Sequence, residues 1–150
     1  MKHLFRILTA LFLTLSLASC SKDAPTNNYS TPVDPTVAYK VTLSGTNEVP
    51  ANTSTAMGSG ILLFNSTTKI FTLSVNHTVV NATMGHIHKG AVGMNGSVVF
   101  PFTTFTSPFV YTSAALDASQ EADLAAGLYY INLHSAAFPG GEIRGNITKQ

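Results

Sequence analysis

Beyond residue 36, apolar and polar positions alternate with period two along most of the chain. In residues 37–44, Val37, Tyr39, Val41 and Leu43 fall on one side and Ala38, Lys40, Thr42 and Ser44 on the other. That is the pattern of a half-buried strand. Residues 60–64, 69–75, 97–102, 128–134 and 142–148 read as further strands, and 108–111 as a short edge strand. Asn65-Ser66-Thr67-Thr68 suits a hairpin connection. Short strands at such spacing predict an all-β fold, an antiparallel Greek-key-like β-sandwich. One segment breaks the alternation: residues 116–127, "LDASQEADLAAG", hold helix formers, with Asp117 or Ser119 as N-cap and Gly127 as a stop. It predicts one short helical insert.

The first 36 residues follow a different pattern. Lys2, His3 and Arg6 precede an apolar run, 8–17, broken only by Thr and Ser. At about ten residues it falls well short of the ~20 that a bilayer span needs. It closes on Leu17-Ala18-Ser19-Cys20, small residues ahead of the one cysteine in the chain. The run has the form of a signal peptide over 1–19, and its end resembles the bacterial lipobox, in which that cysteine carries lipid. A single thiol cannot form an internal disulfide, so the domain must be stable without one. From Cys20 to Thr36 the chain is rich in Pro, Asn, Ser and Thr without apolar period, which reads as a disordered tether. Ser21-Lys22-Asp23 partly resembles the sorting signal that sends some lipoproteins to the cell surface; Ala24 departs from it. The expected location is the bacterial cell envelope, lipid-anchored in the outer membrane and facing outward.

Residues 37–150 then form one domain. Its positive charges are Lys40, Lys69, Lys89, Arg144 and Lys149, balanced by Glu48, Asp117, Glu121, Asp123 and Glu142. A neutral domain with no basic patch argues against nucleic acid as a partner.

The candidate chemistry sits in two stretches. "MGHIHKGAVGMNG", residues 84–96, places His86 and His88 on one face of a strand among glycines. In residues 128–134 the alternation Tyr130, Asn132, His134 puts a third histidine on a strand without charge. Three imidazoles suit copper or zinc, with a water or Glu142 completing the set. Equally, rings bonded to backbone and carboxylate would be structural, and the residues leave both readings open. His77, in "VNHTV", reads as an exposed strand-end residue. In "FPGGEIRG", Glu142 and Arg144 share a face beyond a Gly140-Gly141 turn, and with Glu48 they suggest a buried structural ion pair.

These pieces together resemble the CHRD domain, a module named after chordin and common in bacterial secreted proteins. The matching stretches are "LSGTNEVPANTSTAMGSG" at 43–60, "GHIHKGAVGMNGSVV" at 85–99 and "ADLAAGLYYINLHSAAFPGGEIRGNI" at 122–147. Ala51 and Ser135 depart from the pattern, where the family often has Pro and Thr. The resemblance implies an all-β domain and no settled activity.

The sequence has no Gly-x-Ser-x-Gly elbow, phosphate loop or free catalytic cysteine. Ser135 cannot use His134 as a base, because neighbours on a strand face opposite ways. Two function classes follow. One is a non-enzymatic binding or adhesion module for a protein or glycan, whose other contact is the membrane through its lipid. The other is a copper- or zinc-binding envelope protein using His86, His88 and His134, with metal-dependent redox work as its enzymatic form. The N-terminal reading has a direct check: Cys20→Ser should move the protein from the membrane fraction to the soluble one. Unchanged fractionation and mass would remove the lipid assignment.

Overall fold

The computed structural model describes residues 35–150. The expected signal peptide over 1–19, the expected lipid on Cys20 and nearly all of the expected tether lie outside these residues. The described chain runs β1 (Thr36–Ser44), a 3-10 turn (Gly45–Asn47), β2 (Met57–Asn65), β3 (Phe71–His77), β4 (Ala82–Lys89) and β5 (Ser97–Pro101). It continues through β6 (Phe109–Thr112), α1 (Ala118–Ala125), β7 (Tyr129–Ser135), β8 (Ile143–Asn146) and β9 (Thr148–Lys149). All pairings are antiparallel, in the order β5-β4-β7-β8-β1-β2-β3-β6, with β9 also on β1. The fold is therefore mostly β with one short helix, as expected. The ladder is continuous, so the two layers are the halves of one strongly curled sheet, a half-barrel.

What faces inward follows from the alternation. Tyr39, Val41 and Leu43 of β1, Leu62 and Phe64 of β2, and Phe71, Leu73 and Val75 of β3 are buried. Ile87 of β4 and Tyr129, Ile131 and Leu133 of β7 meet them from the other half. The ends of the sheet join through aromatic rings rather than ladder hydrogen bonds. Phe100 on β5 meets Phe71 on β3 edge to face at 5.4 Å, and Phe102 lies 5.2 Å from both Phe109 and Tyr111 at β6. Such pairs add about 0.5–1.5 kcal/mol beyond their buried area.

Local chemistry sets the connections. Asn65 Oδ1 accepts from the amides of Thr67 and Thr68, forming the β2–β3 turn, and Lys69 takes a positive φ of 63° there. This is why β3 starts at Phe71 rather than at the expected residue 69. In α1, Asp117 caps the amide of Gln120 while the Gln120 side chain accepts from the Asp117 amide, a capping box. Gly127, at φ 70°, ends the helix where a side chain would be strained. Ion pairs Glu121–Lys69 at 2.8 Å and Asp123–Lys89 at 2.7 Å pin α1 between the β2–β3 turn and the end of β4. The last expected strand is two: β8 pairs with β7, then Ile147 passes its amide to Tyr129 and β9 pairs with β1.

The aromatic seam makes Phe71 the residue whose loss opens the half-barrel. Phe71→Ala should cost about 3–5 kcal/mol, read as a lowered denaturant midpoint with an unchanged slope.

Candidate functional site

β7 is buried along its whole length, on both faces. Tyr129, Ile131 and Leu133 face the core, so Tyr130, Asn132 and His134 face outward, yet each is less than one-tenth exposed. Register completes the outer face. His88 stands opposite Tyr130 and His86 opposite Asn132 on β4, while Arg144 and Asn146 of β8 stand opposite Asn132 and Tyr130. Three loops cover this polar row and supply its partners.

The first loop, 45–56, carries the "NEVPANTS" residues. Asn47 Nδ2 donates to Arg144 O, and Asn52 Nδ2 donates to the carbonyls of Gly141 and Glu142. Glu48 Oε1 accepts from Asn132 Nδ2 at 2.7 Å, and Glu142 Oε1 accepts from Ser54 Oγ at 2.9 Å. Gly141 sits here with φ 136°, and a Cβ on it would come within 2.7 Å of Glu48 Oε1. The second loop, 90–96, binds Arg144: Nη2 donates to Met94 O at 2.6 Å and Nη1 to Asn95 Oδ1 at 3.0 Å. Asn95 Nδ2 in turn donates to Val49 O, joining the first two loops. The third loop, 136–142, turns through Pro139.

Arg144 is 1% exposed, and its guanidinium carbon lies 3.4 Å from the centroid of the Tyr130 ring. The expected ion pair of Glu48, Glu142 and Arg144 is not a direct one. All three are buried, but the guanidinium binds a carbonyl, an amide and a ring, while each carboxylate takes a neutral donor. Glu48 feels Arg144 through space. Burial pushes its carboxyl up to about 7, against the opposing pull of Arg144, the Val49 amide and Asn132.

The three histidines meet as expected. His86 lies 5.4 Å from His88 and 5.1 Å from His134 between ring centroids, and each ring offers one nitrogen within 4.8 Å of the others. Two rings are held from behind. His88 Nδ1 bonds Gly96 O at 3.0 Å and His134 Nδ1 bonds Pro139 O at 2.9 Å. A carbonyl oxygen only accepts, so both Nδ1 atoms carry hydrogen and both Nε2 atoms of the neutral rings keep their lone pairs. Those two Nε2 atoms, and Nδ1 of His86, are buried without a protein partner. The His88 ring also stacks on Tyr130 at 4.8 Å, with only 4° between planes, giving a pile of imidazole, phenol and guanidinium. Glu142, considered as a completing ligand, lies outside this group.

Burial, then the neighbouring His134 and His88, lowers the His86 pKa. Burial also lowers that of His88, with His134 and Arg144 adding to it and the Gly96 bond opposing. His86 and His88 are thus biased to the neutral form that ligates metals.

His77 behaves differently. Expected to be exposed, it is buried, and both nitrogens are used: Nε2 bonds Phe105 O at 2.8 Å and Nδ1 accepts from the Val79 amide at 3.1 Å. It is a structural histidine of the β3 end. Sequence reasoning also missed Asn132, Tyr130, Asn52 and Asn95, whose roles appear only once the loops fold over β7.

The family model described as the CHRD domain matches residues 39–147. No curated protein and no solved structure gives a significant match.

Two opposite pH dependences arise here. Glu48, raised from 4.5 to about 7, holds a proton in the folded state that the unfolded chain has lost. Its contribution is present below about pH 4.5 and is lost as pH rises through 7. His86 and His88, lowered from 6.5, exclude a proton that the unfolded chain binds, so they lose stability as pH falls below about 6.5. In Glu48→Gln only the histidine slope remains. Denaturation of chelator-treated protein at pH 7, 6 and 5 should show the variant gaining most over the parent at pH 7, with the difference shrinking on acidification.

Proposed function

The chain belongs to the CHRD-domain family, and from that premise we propose that it is a transition-metal-binding module in which His86, His88 and His134 take one copper or zinc ion. One observation carries this reading: three histidines converge, and each leaves a buried nitrogen without a protein partner. Buried polar atoms are normally satisfied, and His77 shows how this fold satisfies a structural imidazole, with a bond at each nitrogen. The back-side bonds from Nδ1 of His88 and His134 to carbonyls are the second-shell pattern that fixes tautomer and ring direction in metal-ligating histidines. His86 makes only ring contacts, so it can turn to close the set. Nitrogens at bond lengths of about 2.0–2.1 Å lie about 3.3 Å apart in a tetrahedron. The apo spacing of up to 4.8 Å therefore has to contract.

On this proposal the protein is an envelope lipoprotein. Cys20 carries the membrane anchor, and the following segment, if extended, reaches roughly 50 Å, holding the domain off the outer membrane, facing outward. A second reading, a non-enzymatic binding or adhesion module for a protein or glycan, draws on the far half of the sheet. There Ile61 and Val110 flank Ser74 on the outer face and are 43% and 60% exposed. The two readings concern different faces.

Metal stoichiometry tests the first. Chelator-stripped protein titrated with Cu or Zn at micromolar concentration should take up one equivalent, and His86→Ala and His134→Ala should each lose it while melting cooperatively. No uptake by the parent would leave the histidines as a structural pin for the glycine-rich loop and the binding-module reading in front.

A further inference from the structure

We propose that the thioether of Met84 is the fourth ligand of the histidine centre and makes it a site for copper(I). The proposal rests on the metal-binding reading above and narrows it to one ion and one added residue. Register carries it. Met84 stands directly opposite His134 in the β4–β7 ladder and two residues before His86 on β4. Directly paired residues of antiparallel strands project to the same face with Cβ atoms about 4.5–5.5 Å apart, and alternate residues of one strand share that face. Met84, His86 and His88 thus form one row, with His134 facing its first member.

The side chain at that position is not part of the core. Met84 is 45% exposed, on the strand whose inward residues, Gly85 and Ile87, are buried. Packing gives no reason for a large apolar side chain there. Methionine is unbranched, with three rotatable bonds ahead of a polarisable sulfur, so from this position it can swing over the imidazoles.

The resulting donor set selects the ion. Three imidazoles and a thioether are all neutral, and among the described residues no Asp, Glu or Cys joins the group. Thioether sulfur is a soft donor that favours Cu(I), whereas structural zinc sites draw on Cys, His and carboxylate. The buried guanidinium of Arg144 stacks on the Tyr130 ring, on which His88 also stacks. A fixed positive charge opposes a divalent ion twice as strongly as a monovalent one at equal distance.

The test is a comparison of the full chain, purified in detergent, with Met84→Leu, which keeps volume and apolarity. Met57→Leu is the control: Met57 is more exposed than Met84 but begins β2, opposite Ser44, away from the histidines. Cu(I) affinity is measured by competition with bicinchoninate under anaerobic reducing conditions, and Zn(II) affinity with a chromophoric chelator. Met84→Leu should weaken Cu(I) by at least tenfold and leave Zn(II) within threefold, and the X-ray absorption spectrum of the Cu(I) form should lose its sulfur shell. Met57→Leu should match the parent in all three. If Met84→Leu holds Cu(I) as tightly as the parent, or the parent's spectrum has no sulfur shell, Met84 is not a ligand and the three-histidine site stands without it. If the parent takes up neither ion, the metal reading itself fails and this proposal with it.

Discussion

The structure turns on one constraint: β7 is buried on both faces, and only one of them is apolar. The inner face, with Tyr129, Ile131 and Leu133, packs into the core. The outer face presents a phenol, an amide and an imidazole in succession, and a buried polar group left without a partner costs about 1–3 kcal/mol. Each therefore requires something brought over it. Tyr130 Oη accepts from the Gly96 amide, Asn132 donates to Glu48, and His134 bonds the Pro139 carbonyl. One partner comes from each of three loops, so satisfying β7 fixes all three, and Asn52 and Asn95 then tie them to one another. The glycines and asparagines of these loops serve that closure. A Cβ at Gly141, for example, would collide with the Glu48 carboxylate.

Arg144 is the largest electrostatic consequence. A buried charge with no direct counter-ion is costly, and breaking up its compensation costs more than the pair is worth. Here compensation is spread over the Met94 carbonyl, the Asn95 amide and the Tyr130 face, with Glu48 acting at longer range. Spreading it has two effects. Glu48 is left with neutral donors, so desolvation dominates its titration. Tyr130 is clamped between Arg144 and His88, so the same stack that buries the cation also orients a histidine of the candidate site.

Period-two alternation made β1 and the apolar inner faces of β3 and β7 legible, and cap chemistry located α1, because these are local or one-dimensional signals. β4 was legible only as a His-x-His register: its inward residues include Gly85, and its outward row is Met84, His86 and His88, so no apolar stripe marks it. Alternation also reports one buried face at a time. It could bring Tyr130, Asn132 and His134 to one side of β7 but not show that side covered, because the partners of Tyr130 and Asn132 lie 34 and 84 positions away in sequence. The convergence of His86, His88 and His134 was legible from the shared face and is borne out by the ring geometry. The expected direct pairing of Glu48, Glu142 and Arg144 is not formed, since charge and proximity in sequence do not say which neutral donors reach a carboxylate first. His77 is the converse case: its sequence context, polar and near a turn, suggested exposure, while the 103–107 segment folds over it.

His77 and the cluster also separate two ways a β-protein can bury imidazole. At the β3 end, both nitrogens are closed off and the ring is a fixed strut. On the outer face of β4 and β7, two rings are closed on one side and a third is left without a hydrogen bond among the described residues, so three buried ring nitrogens face a common space without a partner, at a standing cost. The loops give each side chain of the β7 outer face a partner yet leave these three atoms without one, as they do Asn132 Oδ1, Arg144 Nε and Asn146 Nδ2. Under the proposed reading, that cost belongs to the metal-free state and is recovered on binding. An ion that binds the folded chain and not the unfolded one then adds stability as RT ln(1 + [L]/Kd), about 2.7 kcal/mol at a hundredfold excess over Kd. The destabilised cluster and the closure of three loops over β7 are then consistent parts of one design: two ligand rings are held by backbone carbonyls that the loops provide, and the third is free to complete the geometry when its ion arrives.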